Sequence, residues 1–438
     1  MASLSDNLAR RIKERKAQIA VLGLGYVGLP LAVALAEAGY RVLGLEVDPN
    51  RRRQICKAKD EVLGVKAQRI QPLLANGRLQ PTDRYSLLGK ADVILICVPT
   101  PLKKTREPDL GYILAARDQI VRFLKPGQLV ILESTTYPGT TDELFLPAFT
   151  ATGLKLDREV FLAFSPERID PGNSTWPLER IPKVVGGVTP TSTRLAALLY
   201  RQIVEKVVPV SSSRTAEMVK LLENTFRIVN IALANELALI CHRLKIDVWE
   251  VIEAASTKPF GFMPFYPGPG IGGHCIPTDP LYLSWHVQAH GMESRLIDVA
   301  SRLNQAMPDY VVERIADILN RRGQALWGAK LLLVGVAYKS GVSDVRDSPA
   351  VDVLLKLEEK KAHVCYHDPL VPKLRLGTKV LRSVPLTVGR LRWADGVVVT
   401  TDQVGVDYAR MARYARWIFD TRNALKGEKT TGAVVIKL

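Results

Sequence analysis

The sequence predicts an α/β protein in which two doubly wound domains are joined by a helical middle. Three observations carry this. Short apolar runs alternate with amphipathic stretches over the first half, a long uninterrupted helical pattern begins near residue 216, and strand-like runs resume near residue 330. Continuous apolar strands separated by amphipathic helices indicate a parallel sheet covered on both faces.

The elements follow in order. QIAVLG, RVLGLEV, DVILICV and QLVILES read as buried strands, with helices over 27–38 and 113–123 between them. From 216 to 244 there is neither proline nor glycine, and Met218, Leu221, Leu222, Thr225, Ile228, Val229 and Ala232 recur at three- and four-residue spacing. That predicts one helix longer than most, of the kind that spans the middle of a molecule or packs against a partner subunit. FMPFYPGPGIGGHCIPTDP then breaks the pattern with a Pro/Gly-dense loop. A further helix is expected over 293–320, after which LLLVGVAY, HVCYHD, GVVVTTD and RWIFDT are strand-like. The expected boundaries are 1–212, 213–325 and 326–438, which suits a chain of 438 residues.

Bulk properties narrow the function. An apolar share of 47% with 24% charged residues is ordinary globular composition. No apolar run approaches the ~20 residues of a membrane span, so no membrane partner is expected. The charged N-terminal stretch lacks the layout of a signal peptide, which makes the cytoplasm the expected location. Cys56, Cys97, Cys241, Cys275 and Cys365 are scattered without CxxC or zinc spacing, so neither a disulfide framework nor a metal site is expected. The net charge of +16 is spread along the chain apart from short clusters such as Arg51-Arg52-Arg53. No nucleic-acid module accompanies it, and an anionic small molecule is the better partner.

Gly23-Leu24-Gly25-Tyr26-Val27-Gly28 fits GxGxxG after a strand and at the start of a helix, a Rossmann-like dinucleotide turn. Gly23 permits the tight turn, Gly25 lets the backbone approach a pyrophosphate, and Gly28 allows close helix–strand packing. The helix N-terminus supplies amide donors for the phosphate. Glu46, at the end of the second strand, is placed to accept from both ribose hydroxyls and would repel a 2′-phosphate, so NAD is expected. Asp48 is the alternative carboxylate, and the arginines from Arg51 keep NADP as a minority option.

Cys275 sits in Gly272-Gly273-His274-Cys275-Ile276-Pro277, where glycines give a ligand access to the backbone and prolines limit motion. The thiols of Cys97, Cys241 and Cys365 read instead as small buried hydrophobes, and Cys56 as inert. Cys275 is therefore the candidate nucleophile. Lys220 and Asn224 share one face of the long helix, where polarising water or an oxyanion competes with the plainer reading of a solvated face. Asp279, four residues past Cys275, is placed to hold a water or orient the lysine. His274 is read as structural.

Together GLGYVGLP, CVPTP, ESTTYPGTT, FSPER, KLLENTFRIVN, FYPGPGIGGHCIPTDP and GVAYKSGVSDVRDSPA resemble, in order, the nucleotide-sugar 6-dehydrogenases that act on UDP-glucose and UDP-N-acetylhexosamines. The resemblance runs from about residue 19 to beyond 350. It implies a four-electron oxidation at C6 of the sugar, through a thiohemiacetal and then a thioester on Cys275, with water activated by Lys220 and Asp279. Lys220 and Asn224 would stabilise the oxyanion, and Glu167 matches a family carboxylate near the sugar and the water. Val98, Thr100, Thr135, Arg51 and Arg346 match cofactor positions. Lys339 and Arg422 match residues that grip UDP, and Phe265, Tyr266 and Gly272 lie in the substrate loop. The long helix forms the family's dimer core, which implies a homodimer or higher assembly.

Two departures argue against UDP-glucose. Pro171, beside Asp170, stands where that branch has a second glutamate, and Pro259 where it has an arginine. GPGIGGHCIP looks like the branch acting on UDP-N-acetylglucosamine in polysaccharide biosynthesis, with the galactosamine and mannosamine epimers as alternatives. A catalytically silent Rossmann-type binding protein is the reading from another class, and the combination of Cys275, Lys220, Asn224 and Asp279 counts against it.

Overall fold

The structure, a computed structural model, describes residues 3–58, 62, 64–103, 105, 107–170, 175–429 and 431–438. Pro171 lies outside these residues. The chain divides into two compact units, 1–223 and 224–438, each built on its own sheet.

The first unit holds eight strands: β1 (Gln18–Leu22), β2 (Arg41–Leu45), β3 (Leu79–Thr82), β4 (Val93–Ile96), β5 (Gln128–Leu132), β6 (Val160–Phe164), β7 (Lys183–Gly187) and β8 (Val207–Pro209). Their order in the sheet is β3-β2-β1-β4-β5-β6-β7-β8. The runs read as buried strands are indeed buried, every residue of β4 and β5 being sequestered, and β6, which lies outside those runs, is equally buried. Their side chains feed two apolar clusters on opposite faces, Ile19, Val21 and Ile131 in one and Ala20, Leu22 and Val130 in the other. This alternation is what a doubly wound sheet requires. The parallel order ends at β6, because β7 runs antiparallel to it and β8 follows β7. The N-terminal stretch forms a helix, Leu4–Lys13, capped by the Ser3 hydroxyl, which accepts from Asp6 N at 3.1 Å. Its Leu8, Ala9 and Ile12 are buried.

A helix of 32 residues, Ser213–Leu244, begins in the first unit and ends in the second. At 1.5 Å per residue it is roughly 48 Å long. In the second unit it is followed by Val248–Ala255, Asp279–Ala289 and Arg295–Asn320. A parallel sheet comes next, from β9 (Lys330–Val334), β10 (His363–His367), β13 (Gly396–Val399), β14 (Trp417–Asp420) and β15 (Val434–Lys437), in the order β10-β9-β13-β14-β15. A small hairpin, β11 (Lys373–Leu376) and β12 (Lys379–Arg382), is appended. The expected fold class, two doubly wound sheets with a helical segment between them and one long helix, is the one observed. Among the described residues, no helix is long and apolar enough to cross a membrane.

Candidate active site

In the first sheet β1 is flanked by β2 on one side and β4 on the other, so the chain reverses its winding direction there and opens a crevice at the carboxyl ends of the strands. The glycine turn lies in that crevice. Gly23 has φ +88, and a Cβ there would stand 2.6 Å from the Cys97 carbonyl oxygen. A Cβ on Gly28 would stand 1.9 Å from the Gly23 carbonyl oxygen, so this position is closed by the chain itself. Gly25 differs, since a Cβ there meets no atom of the described residues within 4 Å. The helix Gly28–Glu37 has Val27 as N-cap and no side-chain cap, which leaves its first amides directed toward the turn. An open glycine before an uncapped helix fits a pyrophosphate.

Glu46 follows β2 and is 4% exposed, its Oε2 accepting from Leu24 N at 3.1 Å and its Oε1 from Asp48 N at 3.0 Å. Each oxygen retains acceptor capacity for a ribose hydroxyl. Asp48 caps the next helix, its Oδ1 accepting from Asn50 N at 2.8 Å. The arginines face protein acceptors: Arg51 lies 3.6 Å from Glu46 Oε2, and Arg52 pairs with Asp83 at 2.9 Å. Arg53 donates to Asn50 at 2.5 Å. Half-buried Val98 and Thr100 follow β4, and Thr135 follows β5, all three at the same ends of the strands. Tyr26 is exposed within the turn. These residues fit NAD, with a buried acid after the second strand where a ribose would lie.

Also in the first unit, Lys220 and Glu167 meet. Lys220 Nζ donates to the Glu167 carbonyl oxygen at 2.7 Å, and the two residues are 7% and 8% exposed. Glu167 Oε1 accepts from Arg168 N at 2.7 Å and from Ile169 N. Its Oε2 is buried with no hydrogen-bond partner among the described residues, 3.7 Å from Lys183 Nζ. Lys220 and Asn224 are therefore a buried polar pair of the long helix, and the solvated-face reading falls. Sequence reasoning missed Lys183, Glu133 and Tyr200 behind Glu167. The available signal was Lys183 itself, a charge at the head of the apolar run KVVGG.

In the second unit the Cys275 loop is pressed against the C-terminal sheet domain. A Cβ on Gly272 would stand 2.6 Å from the Asp347 carbonyl oxygen, and one on Gly273 (φ +84) 2.9 Å from the Tyr338 ring. Cys275 is exposed, and its carbonyl accepts from Asp279 N at 2.8 Å, which opens the helix Asp279–Ala289. Asp279 is 4% exposed and accepts from the amide of Asn224, which is 1% exposed. Arg227 donates to the carbonyl oxygen of the same Asn224. Partial burial and the Arg346 guanidinium hold the His274 imidazole below its ordinary range, so it is neutral at pH 7.

The Pro/Gly-dense loop is braced by aromatic packing, Phe265 edge-on to Phe226 at 5.6 Å and Tyr266 stacked on Trp249 at 6.0 Å. Arg422 sits behind Gly268, its Nε 3.8 Å from Asp402. Lys339 is half-buried beside Tyr338, and Arg346 pairs with Asp344 at 2.7 Å. Pro259 lies in the exposed turn before this loop.

A dinucleotide crevice in one doubly wound domain, with an exposed thiol loop packed on a second, defines a nucleotide-dependent dehydrogenase. The chain matches the UDP-glucose/GDP-mannose dehydrogenase family in its NAD binding domain over residues 17–204, its central domain over 214–306 and its UDP binding domain over 332–427. It is 38% identical over 356 residues to UDP-N-acetyl-D-glucosamine 6-dehydrogenase of Pseudomonas aeruginosa, covering 81% of this chain and 83% of that one. It is 35% identical over 415 residues to UDP-N-acetyl-D-mannosamine dehydrogenase of Pyrococcus horikoshii, covering 93% and 96%. A solved structure of the UDP-D-ManNAc dehydrogenase from Pyrococcus horikoshii superposes with a TM-score of 0.86 at 34% identity, covering 96% of this chain and 99% of that one. The chain thus belongs to the UDP-glucose/GDP-mannose dehydrogenase family and is an NAD-dependent UDP-sugar dehydrogenase.

Proposed function

We propose that the chain oxidises the C6 alcohol of a UDP-N-acetylhexosamine, UDP-N-acetylglucosamine before its galactosamine and mannosamine epimers, to the uronic acid, with Cys275 as covalent holder. The observation that carries this is the exposed Cys275 thiol on a braced glycine loop, directly ahead of buried Asp279 and its partner Asn224. Relatives named for UDP-N-acetylglucosamine and for UDP-N-acetylmannosamine support the substrate class. Pro259 and Pro171 support an acetamido sugar over glucose.

NAD, when bound, accepts hydride at its nicotinamide ring. The residues do the rest. The alcohol loses one hydride and a proton to give the aldehyde, to whose carbon the Cys275 sulfur adds; the thiohemiacetal holds the product in place. Loss of a second hydride together with the hydroxyl proton leaves a thioester, and water cleaves the carbon–sulfur bond to release the acid and restore the thiol. The Lys220 ammonium and Asn224 amide stabilise the oxyanion at each addition, and Lys220 with Asp279 orients the water, with Glu167 alongside. In this reading 1–212 binds NAD, 213–325 carries the cysteine loop and the dimer contact, and 326–438 grips UDP with Lys339 and Arg422. The protein works in the cytoplasm, supplying a uronic acid for polysaccharide assembly.

A homodimer belongs to the same reading. Met218, Leu222, Phe226, Leu233, Ile240 and Leu244 repeat at four- and seven-residue intervals along the long helix, all exposed, Leu222 at 59% and Leu233 at 52%. A seam at that spacing matches the same helix of a second copy.

The test is NADH formation from a panel of UDP-sugars. UDP-N-acetylglucosamine should give the highest kcat/KM and about two NADH per sugar. One NADH with free aldehyde accumulating would sink the thioester route. Binding of NAD and UDP-sugars with no NADH from any of them would establish the silent binding protein instead.

A further inference from the structure

Behind the Glu167 carboxylate, inside the first unit, lies a charged cluster that the chemistry above does not use. Lys183 is 3% exposed and Glu133 and Tyr200 are fully buried. Lys183 Nζ donates to Glu133, and the Tyr200 hydroxyl donates to the other Glu133 oxygen. The Lys183 ammonium lies 5.1 Å from the Tyr200 ring centroid, donates to the Pro166 carbonyl oxygen at 3.2 Å and faces Glu167 Oε2 at 3.7 Å. The antiparallel β7 produces this arrangement. Its pairs Ala163↔Gly187 and Phe164↔Gly186 continue to 167 opposite 183, so the reversal carries Lys183 back to the strand ends where Glu167 sits. A parallel seventh strand would have started at the far edge of the sheet.

We propose that Lys183, anchored by Glu133 and Tyr200, is a positioning residue for the active edge, fixing the 166–167 backbone and facing the second oxygen of Glu167. The proposal rests on the reading of Glu167 and Lys220 as reacting-edge residues. Burial works to lower Lys183, but the Glu133 and Glu167 carboxylates outweigh it and hold the ammonium above its ordinary range; the group is a cation at working pH. One cation is thereby shared by an inert carboxylate and an active one. Because the Lys220 ammonium hangs on the Glu167 carbonyl, a shift of the 166–167 segment moves an acid and a lysine together. Misplacement of reacting groups by about 1 Å costs on the order of 10²-fold in rate.

The experiment compares Lys183→Met, Lys183→Arg, Glu133→Gln/Lys183→Met and Glu167→Gln, in kinetics with NAD and UDP-N-acetylglucosamine and in thermal melting. Lys183→Met should lower kcat about 10²-fold with KM for NAD within about twofold, and Lys183→Arg should recover most of the loss. The double variant removes both buried charges and should regain the melting temperature lost in Lys183→Met, with kcat still low. A double variant of wild-type kcat, or a KM for NAD rising in step with the loss, overturns the proposal. Glu167→Gln separates the two claims. If it turns over normally, the catalytic reading of Glu167 fails; if it is dead while the Lys183 variants are unimpaired, the positioning role alone fails.

Discussion

The Asn224 side-chain amide donates to the Asp279 carboxylate while its own carbonyl oxygen accepts from Arg227. The amide is thus locked in one orientation, with its NH₂ edge toward the acid that follows the cysteine loop. Asn224→Asp sets two buried carboxylates against each other and should lower kcat by about 10²–10³-fold as well as stability. The exchange Asn224→Asp/Asp279→Asn restores one donor and one acceptor. It should regain the melting temperature and leave kcat low, whereas recovery of both would reduce the pair to a structural bond.

The glycines of the dinucleotide turn separate by cause. Gly28→Ala drives a Cβ into the Gly23 carbonyl and should destabilise the first unit by about 1–3 kcal/mol. Gly25→Val has open space and should melt like the wild type, yet bind NAD at least about tenfold more weakly, because the branched side chain stands where the pyrophosphate approaches. Calorimetric titration with NAD reads both. Equal NAD affinity for Gly25→Val and wild type would remove the pyrophosphate from this turn.

Thiol reactivity follows exposure. Cys97 and Cys241 are buried, and burial pushes the Cys97 thiol well up; burial also raises Cys365. Iodoacetamide should therefore modify Cys56 and Cys275 first. Activity should decay with Cys275 modification alone, and Cys56→Ser should inactivate at the wild-type rate. Peptide mass analysis against residual activity checks this; Cys275 fully alkylated with activity intact is the outcome that discards the nucleophile.

Glu217, fully buried at the start of the long helix, accepts from Gly139 N at 2.5 Å, Thr141 N at 2.9 Å and the Thr141 hydroxyl at 2.6 Å. Burial outweighs these donors and pushes its carboxyl up to about 7. The folded state then holds this proton more tightly than the unfolded chain. Its contribution is present below the ordinary carboxylate range, declines as pH rises toward about 7, and is flat above. The span corresponds to roughly 3 kcal/mol. Glu217→Gln should lose that decline whatever its absolute stability, so denaturation at several pH values between about 4.5 and 7 distinguishes the two proteins. Parallel pH–stability curves would contradict it.

The apolar seam of the long helix makes a prediction in solution. Leu233→Glu and Ile240→Glu replace exposed positions and should leave the monomer fold intact. Each should weaken self-association by at least about tenfold, since burying one such side chain is worth about 1.5–3 kcal/mol and a buried carboxylate costs more. Sedimentation across a concentration series reads the shift; unchanged dimers, or a wild type that is monomeric throughout, would assign the seam no partner.

What could be read in advance was what local pattern encodes. β1, β2, β4 and β5 announced themselves as continuous apolar runs, and the long helix as an unbroken periodic stretch. β3 did not, because LQPT is a short edge strand with a proline and little apolar content. The reversal at β7 was equally silent, since a strand's sequence does not state the direction of its neighbour. With β6, β7 and β8 also absent from the runs read as strands, nothing in the sequence brought Lys183 to Glu167. In sequence the N-terminal helix shows only its charges, because its buried face is just Leu8, Ala9 and Ile12. Among candidate site residues, Cys275 stood out by its glycines. The burial of Lys220 and Asn224, which separates them from ordinary surface polar groups, depends on elements distant in sequence and needed the fold.

Gly272 and Gly273 are small because Asp347, Tyr338 and Pro349 already occupy the volume their side chains would need. The Cys275 loop and the 338–349 turn are therefore one interlocked module, although more than sixty residues separate them along the chain. Grafting the loop alone from a relative would bring a shape cut for someone else's turn. A chimera made to change sugar preference has its natural crossover before the loop and after the turn, so that both halves of the lock travel together.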